Sequence, residues 1–99
     1  IIGNTYDGVS AWGNNVTTNI TDSFVIAKNM GYYTFGNSDN SGNPTSFGNI
    51  CYVYGNTTLW GGLCAVQIDG AYNGFYYKPT VNFVGQILVP GWACEAKTF

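Results

Sequence analysis

Apolar and polar side chains alternate with a period of two along much of this chain, and nowhere does the 3.6-residue period of an amphipathic helix persist over the ~10 residues a helix wants. In residues 16–28 the even positions are Val16, Thr18, Ile20, Asp22, Phe24 and Ile26, and the odd ones begin Thr17, Asn19, Thr21, Ser23, Val25 and Ala27. Successive residues of a strand point to opposite faces, so the even positions form the expected core face. Asp22 interrupts that stripe, which makes the segment either one long strand with a bulge or two short strands. Leucine occurs three times and glutamate once, while Asn, Gly, Thr and aromatics dominate, so helix propensity is low throughout.

The same pattern predicts short strands near Val9–Trp12, Tyr32–Phe35, Ile50–Tyr54, Leu63–Ile68, Phe75–Tyr77, Val81–Val89 and Trp92–Thr98. Turn signals stand between them at Asp7-Gly8, Gly36-Asn37, Asp69-Gly70, Asn73-Gly74 and Pro90-Gly91. Seven or eight short strands at this spacing in 99 residues predict an all-β fold, a compact antiparallel β-sandwich of immunoglobulin-like size or a small barrel. One domain over residues 1–99 is expected, with residues 1–6 as an extended terminal segment able to pair with a neighbouring subunit. An aromatic residue followed by Gly-Asn recurs at Trp12, Phe35, Phe47 and Tyr54, with Trp60-Gly61-Gly62 as a near variant. The spacings are unequal and give no solenoid period, so the motif is taken as punctuation that ends strands with residues tolerant of positive φ.

Charge is scarce: 8% of residues, against roughly 25% in an ordinary soluble domain. Lys28, Lys78, Lys97, Asp7, Asp22, Asp39, Asp69 and Glu95 make up the whole set, without arginine or histidine. Three scattered lysines at net charge −2 argue against a nucleic-acid partner. The missing histidine removes Ser/His/Asp and Cys/His catalysis and the commonest zinc ligand. The carboxylates are too scattered to predict a glycosidase pair, so no enzymatic activity, metal or cofactor is expected. Asn37-Ser38-Asp39-Asn40-Ser41-Gly42 imitates the first half of a calcium loop, but its twelfth position is Gly48 where a bidentate Glu belongs, and a hydrated surface loop is the expectation. No apolar run approaches the ~18 residues that span a bilayer. The sequence begins at Ile1 and has one methionine, Met30, which points to an exported, processed protein at the cell surface or outside it.

Cys51, Cys64 and Cys94 are disulfide candidates; around the turn Gly55-Asn56-Thr57-Thr58 a hairpin would set 51 opposite 64. A bridge from either of them to Cys94 is a second arrangement, and three buried free thiols are the alternative to both. Asn15, Asn19 and Asn56 head N-glycosylation sequons, Asn15 and Asn19 on the outward face of their strand and Asn56 in a turn. Adjacent rings in Tyr32-Tyr33 and Tyr76-Tyr77 must point to opposite faces, which leaves one of each pair outside the core. Ile1, Ile2, Trp12, Trp60, Trp92, Tyr33, Tyr77 and Phe99 are therefore candidates for self-association or for stacking on a ligand.

Apolar termini, outward rings and strands almost devoid of charge favour association between copies. The overall character resembles exported fibre subunits, pilin-like or surface-layer proteins, often rich in Asn, Gly, Thr and Tyr and poor in charge. The expected function is that of a non-enzymatic structural subunit of an extracellular filament or surface assembly, with copies of itself and covalent glycans as partners. The alternative is a secreted carbohydrate-binding module that stacks sugars on exposed Trp and Tyr.

Overall fold

Each backbone N–H and C=O of a strand needs a partner, and here the partner strand comes from the next turn of the chain and never from the neighbouring strand in sequence. The computed structural model describes residues 6–37 and 48–99. The strands among the described residues are β1 (Asp7–Gly13), β2 (Thr17–Thr21), β3 (Phe24–Ala27), β4 (Met30–Gly36), β5 (Ile50–Tyr54), β6 (Thr58–Gly61), β7 (Cys64–Gly70), β8 (Gly74–Tyr77), β9 (Asn82–Val84), β10 (Ile87–Leu88) and β11 (Glu95–Thr98). They form three sheets with orders β1-β4-β7-β10, β2-β5-β8-β11 and β3-β6-β9. Every pairing is parallel. The chain thus winds through one strand of each sheet per turn, as a three-sided parallel β-solenoid.

This pairing overturns the expected antiparallel sandwich or barrel. Alternation reports that one face of a strand is buried, not the direction of its neighbour. The Gly-Asn signals and Asp69-Gly70 bend the chain at solenoid corners and do not reverse it into hairpins, while Asp7-Gly8 stands inside β1 and makes no turn. The hairpin register that would set Cys51 against Cys64 is accordingly not formed: Cys51 pairs with Thr18 and Phe75, and Cys64 with Met30. All three thiols are free. Asp22 does divide residues 16–28 into two strands, at a corner where its φ is 49°. The corner flips the phase of the alternation, so that Ile20 is buried before it while Val25 and Ala27 are buried after it and Phe24 is exposed.

The interior is built of side-chain columns running from turn to turn. Val9, Tyr32, Val66 and Ile87 stack along the first face. Thr18, Cys51, Phe75 and Ala96 stack along the second, and Val25, Leu59 and Phe83 along the third. Phe75 occupies the centre, with ring centroids 5.5 Å from Tyr32 and 5.9 Å from Phe83. Burial pushes the Cys51 thiol up to about 12, which keeps it protonated and unreactive at neutral pH.

Two further columns make the corner between the first and second faces. Gly13, Gly36 and Gly70 are in register, with Gly91 above Gly70 beside the Ala71–Trp92 bridge. One position before each strand of the second sheet stand Val16, Asn49, Asn73 and Cys94. Asn49 and Asn73 are buried, and each amide oxygen accepts from the backbone one turn earlier: Val16 N–H donates to Asn49 Oδ1 (3.2 Å) and Asn49 N–H to Asn73 Oδ1 (2.8 Å). Asn49 Nδ2 donates to Thr34 Oγ1 at 3.0 Å and to Phe35 C=O at 3.3 Å, and Asn73 Nδ2 to Asp69 C=O at 2.6 Å. Thr57 serves the next corner in the same way, accepting from Ser23 N–H at 3.3 Å and donating to Tyr54 C=O at 2.9 Å.

Candidate functional site

The sharpest departure from regular winding is at this first corner. From the corner glycine to the next strand is a step of four positions in three turns, Gly13 to Thr17, Gly70 to Gly74 and Gly91 to Glu95, but of fourteen in the second, Gly36 to Ile50. Insertions in repeat folds gather on one side, often the binding side. At the same corner Tyr72 (φ 56°) and Ala93 (φ 55°) adopt left-handed backbone, uncommon for residues with a Cβ. Tyr72 N–H donates to Trp92 C=O at 3.0 Å, and the two exposed rings stack with centroids 5.5 Å apart and planes at 28°.

Beside this pair lies an open cleft of about 370 Å³ lined by Ile50, Tyr72, Asn73, Gly74, Tyr76, Ala93 and Glu95. Ile50, Gly74 and Glu95 are register partners on three successive turns. Gly74 makes the room: a Cβ there would stand 2.8–2.9 Å from the outer atoms of the Tyr76 ring, which lies over it. Tyr76 Oη donates to Glu95 Oε1 at 2.5 Å, and Lys97 Nζ is 3.6 Å from the same oxygen. The hydrogen bond from Tyr76, aided by Lys97, holds the Glu95 carboxyl below the usual carboxylate range, and the same bond pushes the Tyr76 phenol up to about 12.

The signs of the two shifts set a pH window for this pair. Because Glu95 is lowered in the fold, its contribution to stability is present above the ordinary carboxylate range and is lost as pH falls through the lowered value. Because Tyr76 is raised, its contribution is complete below about 10 and is lost as pH climbs toward 12. In Tyr76→Phe the Glu95 carboxyl is expected to titrate higher than in the parent, read as the side-chain carboxyl chemical shift against pH. An unchanged midpoint would assign the shift to Lys97 instead.

The residues singled out in the sequence are distributed around the solenoid and are not gathered in one place. Trp12 is 64% exposed at the end of β1, stacked on Phe35 at 5.5 Å and 22°, with Tyr33 5.5 Å away. Trp60 lies on the third face, in register with Ile26 and Val84. Phe99 meets Tyr52 edge-on and carries Lys78 Nζ 4.2 Å over its ring. In the pair Tyr32-Tyr33 the first ring is buried and the second faces out, whereas in Tyr76-Tyr77 it is Tyr76 that faces out and Tyr77 that packs against Phe75 and Phe83. Of the described candidates, Trp92 stands beside the cleft, stacked on Tyr72. Tyr72 and the roles of Tyr76 and Glu95 are not announced by the sequence, which leaves open which ring of Tyr76-Tyr77 faces out, although the repeated Asn before a strand at Asn49 and Asn73 marks the corner.

Asn15, Asn19 and Asn56 are all exposed, Asn15 at a corner with φ 62°, Asn19 on β2 and Asn56 at the corner after β5. Ile1, Ile2, Phe47 and residues 38–42 of the calcium-like loop lie outside the described residues. Among the described residues no three His, Cys, Asp or Glu side chains stand together to hold a metal ion. No helix among them is long and apolar enough to cross a membrane. Comparison with known proteins finds no matching family model, no similar curated protein and no matching solved structure.

Proposed function

We propose that this chain is a non-enzymatic structural module of an extracellular surface assembly or filament, in which solenoid turns of neighbouring copies stack edge to edge. The observation that carries this reading is the state of the two ends. Among the described residues β1, β2 and β3 each pair on one side only, as do β9, β10 and β11. Such edges are templates for further strands unless charge, proline or a covering segment blocks them. Here β2, β3, β9 and β10 contain no charged residue and no proline. A contact joining one end of a copy to the opposite end of the next does not close, so it propagates as a fibre. The exposed asparagines Asn15, Asn19 and Asn56 would carry glycan around the stack.

Lysines placed on β2 test the reading. Ile50 N–H donates to Val16 C=O, so the alternating ladder leaves the backbone groups of Thr17 and Asn19 toward the open edge. Both side chains are exposed, and the double variant Thr17→Lys/Asn19→Lys is expected to change unfolding free energy by no more than about 0.5 kcal/mol. Sedimentation velocity and electron microscopy of the parent should show fibres or concentration-dependent oligomers that the variant has lost. A parent protein that stays monomeric at high micromolar concentration contradicts the proposal.

A further inference from the structure

We infer that the cleft between Tyr72, Tyr76 and Glu95 is a binding site for a neutral saccharide. Its ligand class follows from the groups that face it. A pyranose offers a flat array of C–H bonds on one side and hydroxyls around its rim. The Tyr72 ring suits the first, because Trp92 stacks on it and limits its swing, so little rotamer freedom is lost on binding. Glu95 and Tyr76 suit the second. Tyr76 and Lys97 both engage Oε1 of the carboxylate, and a carboxylate has a second oxygen to offer a sugar hydroxyl. Tyr76 fixes the orientation of that acceptor before any ligand arrives.

The same groups argue against other occupants. An anionic ligand, including a nucleic acid or a polyuronate, would meet the Glu95 carboxylate in a chain of net charge −2. A flat neighbouring protein surface could cover Trp12 and Phe35 but would leave this concave site unfilled. At about 370 Å³ the cleft is at the small end of the roughly 300–1,000 Å³ typical of small-molecule sites, which suits a short saccharide. Trp12 and Phe35 form a second ring stack, outside the lining of this cleft.

Three neutral probes, cellohexaose, maltohexaose and hexa-N-acetylchitohexaose, test the site by amide chemical-shift titration, with polygalacturonate as the anionic comparison. At least one neutral probe should give saturable shifts centred on residues 72–76 and 92–95. Tyr72→Ala should weaken that binding by roughly five- to tenfold, the scale of one lost aromatic stacking contact, and Glu95→Ala, on an exposed strand, should weaken it comparably. Trp12→Ala should bind as the parent does. The inference is overturned if no neutral probe binds at millimolar concentration, if polygalacturonate binds as tightly as the best of them, or if both cleft variants keep parental affinity. The site does not depend on edge-to-edge assembly, so either result can stand without the other.

Discussion

Asn49→Leu is expected to lower the unfolding free energy by about 3–5 kcal/mol, although leucine is close to asparagine in bulk and more apolar. Asn49 is buried, and its amide accepts from Val16 N–H while donating to Thr34 Oγ1 and Phe35 C=O. Leucine removes these bonds: Thr34 Oγ1 keeps its own to Ala11 C=O at 3.0 Å, but Val16 N–H and Phe35 C=O lose the partner the amide gave them, and an orphaned buried polar group costs about 1–3 kcal/mol. The loss would be a large part of the roughly 5–15 kcal/mol by which a domain is ordinarily stable. Chemical denaturation provides the measurement, with exposed Asn19→Ala as a control that should shift stability by no more than about 0.5 kcal/mol. A loss near that of the control would mean that water, not asparagine, serves the corner.

The glycine column offers a second large effect with an internal standard. Gly13 and Gly70 are in the same column, and both have positive φ, 101° and 83°. A Cβ on Gly13 would meet nothing among the described residues within 4 Å, whereas one on Gly70 would collide with the backbone of Gly36. Gly13→Ala should therefore cost only the backbone strain, about 1–3 kcal/mol. Gly70→Ala should add to this the separation of two turns of the ladder, bringing the loss to roughly 3–6 kcal/mol. Parallel urea melts of the two variants give the difference directly. Equal losses would show that the turns can part at this corner without penalty, contrary to the close contact of Gly36 and Gly70.

These columns explain how much of the molecule was legible before its structure was known. Most strand positions were, because half-buried strands write their alternation into the sequence, as at Ile50–Tyr54 and in the break at Asp22, but eleven strands stand among the described residues where seven or eight were expected, and Val81–Val89 divides at Gly85 into β9 and β10. Pairing direction was not, because Tyr54-Gly55-Asn56 reads the same whether the chain then doubles back or turns a solenoid corner. The repeat was present in Trp12-Gly13-Asn14 and Phe35-Gly36-Asn37, yet the steps from Gly13 to Gly36, to Gly70 and to Gly91 are 23, 34 and 21 residues. The extra residues before Ile50 hide the period. The candidate site was hidden more deeply: Glu95 was one of several scattered carboxylates, alternation could not say which ring of Tyr76-Tyr77 faces outward, and Tyr72 is set outward by a backbone conformation that its neighbours in sequence do not announce.

The long step from Gly36 to Ile50 has a consequence for how such a scaffold can change. Register is held on both sides of it, Gly36 against Gly13 and Gly70, Ile50 against Thr17 and Gly74. The ladder is therefore indifferent to how much chain passes between those two residues, and loop closure grows only slowly more costly with length. Sequence can be lengthened, shortened or exchanged between Asn37 and Gly48 while Gly48, Asn49 and the framework stay as they are. That stretch of sequence leads into Ile50, which lines the cleft, so a change in its length or composition could alter recognition without a new fold.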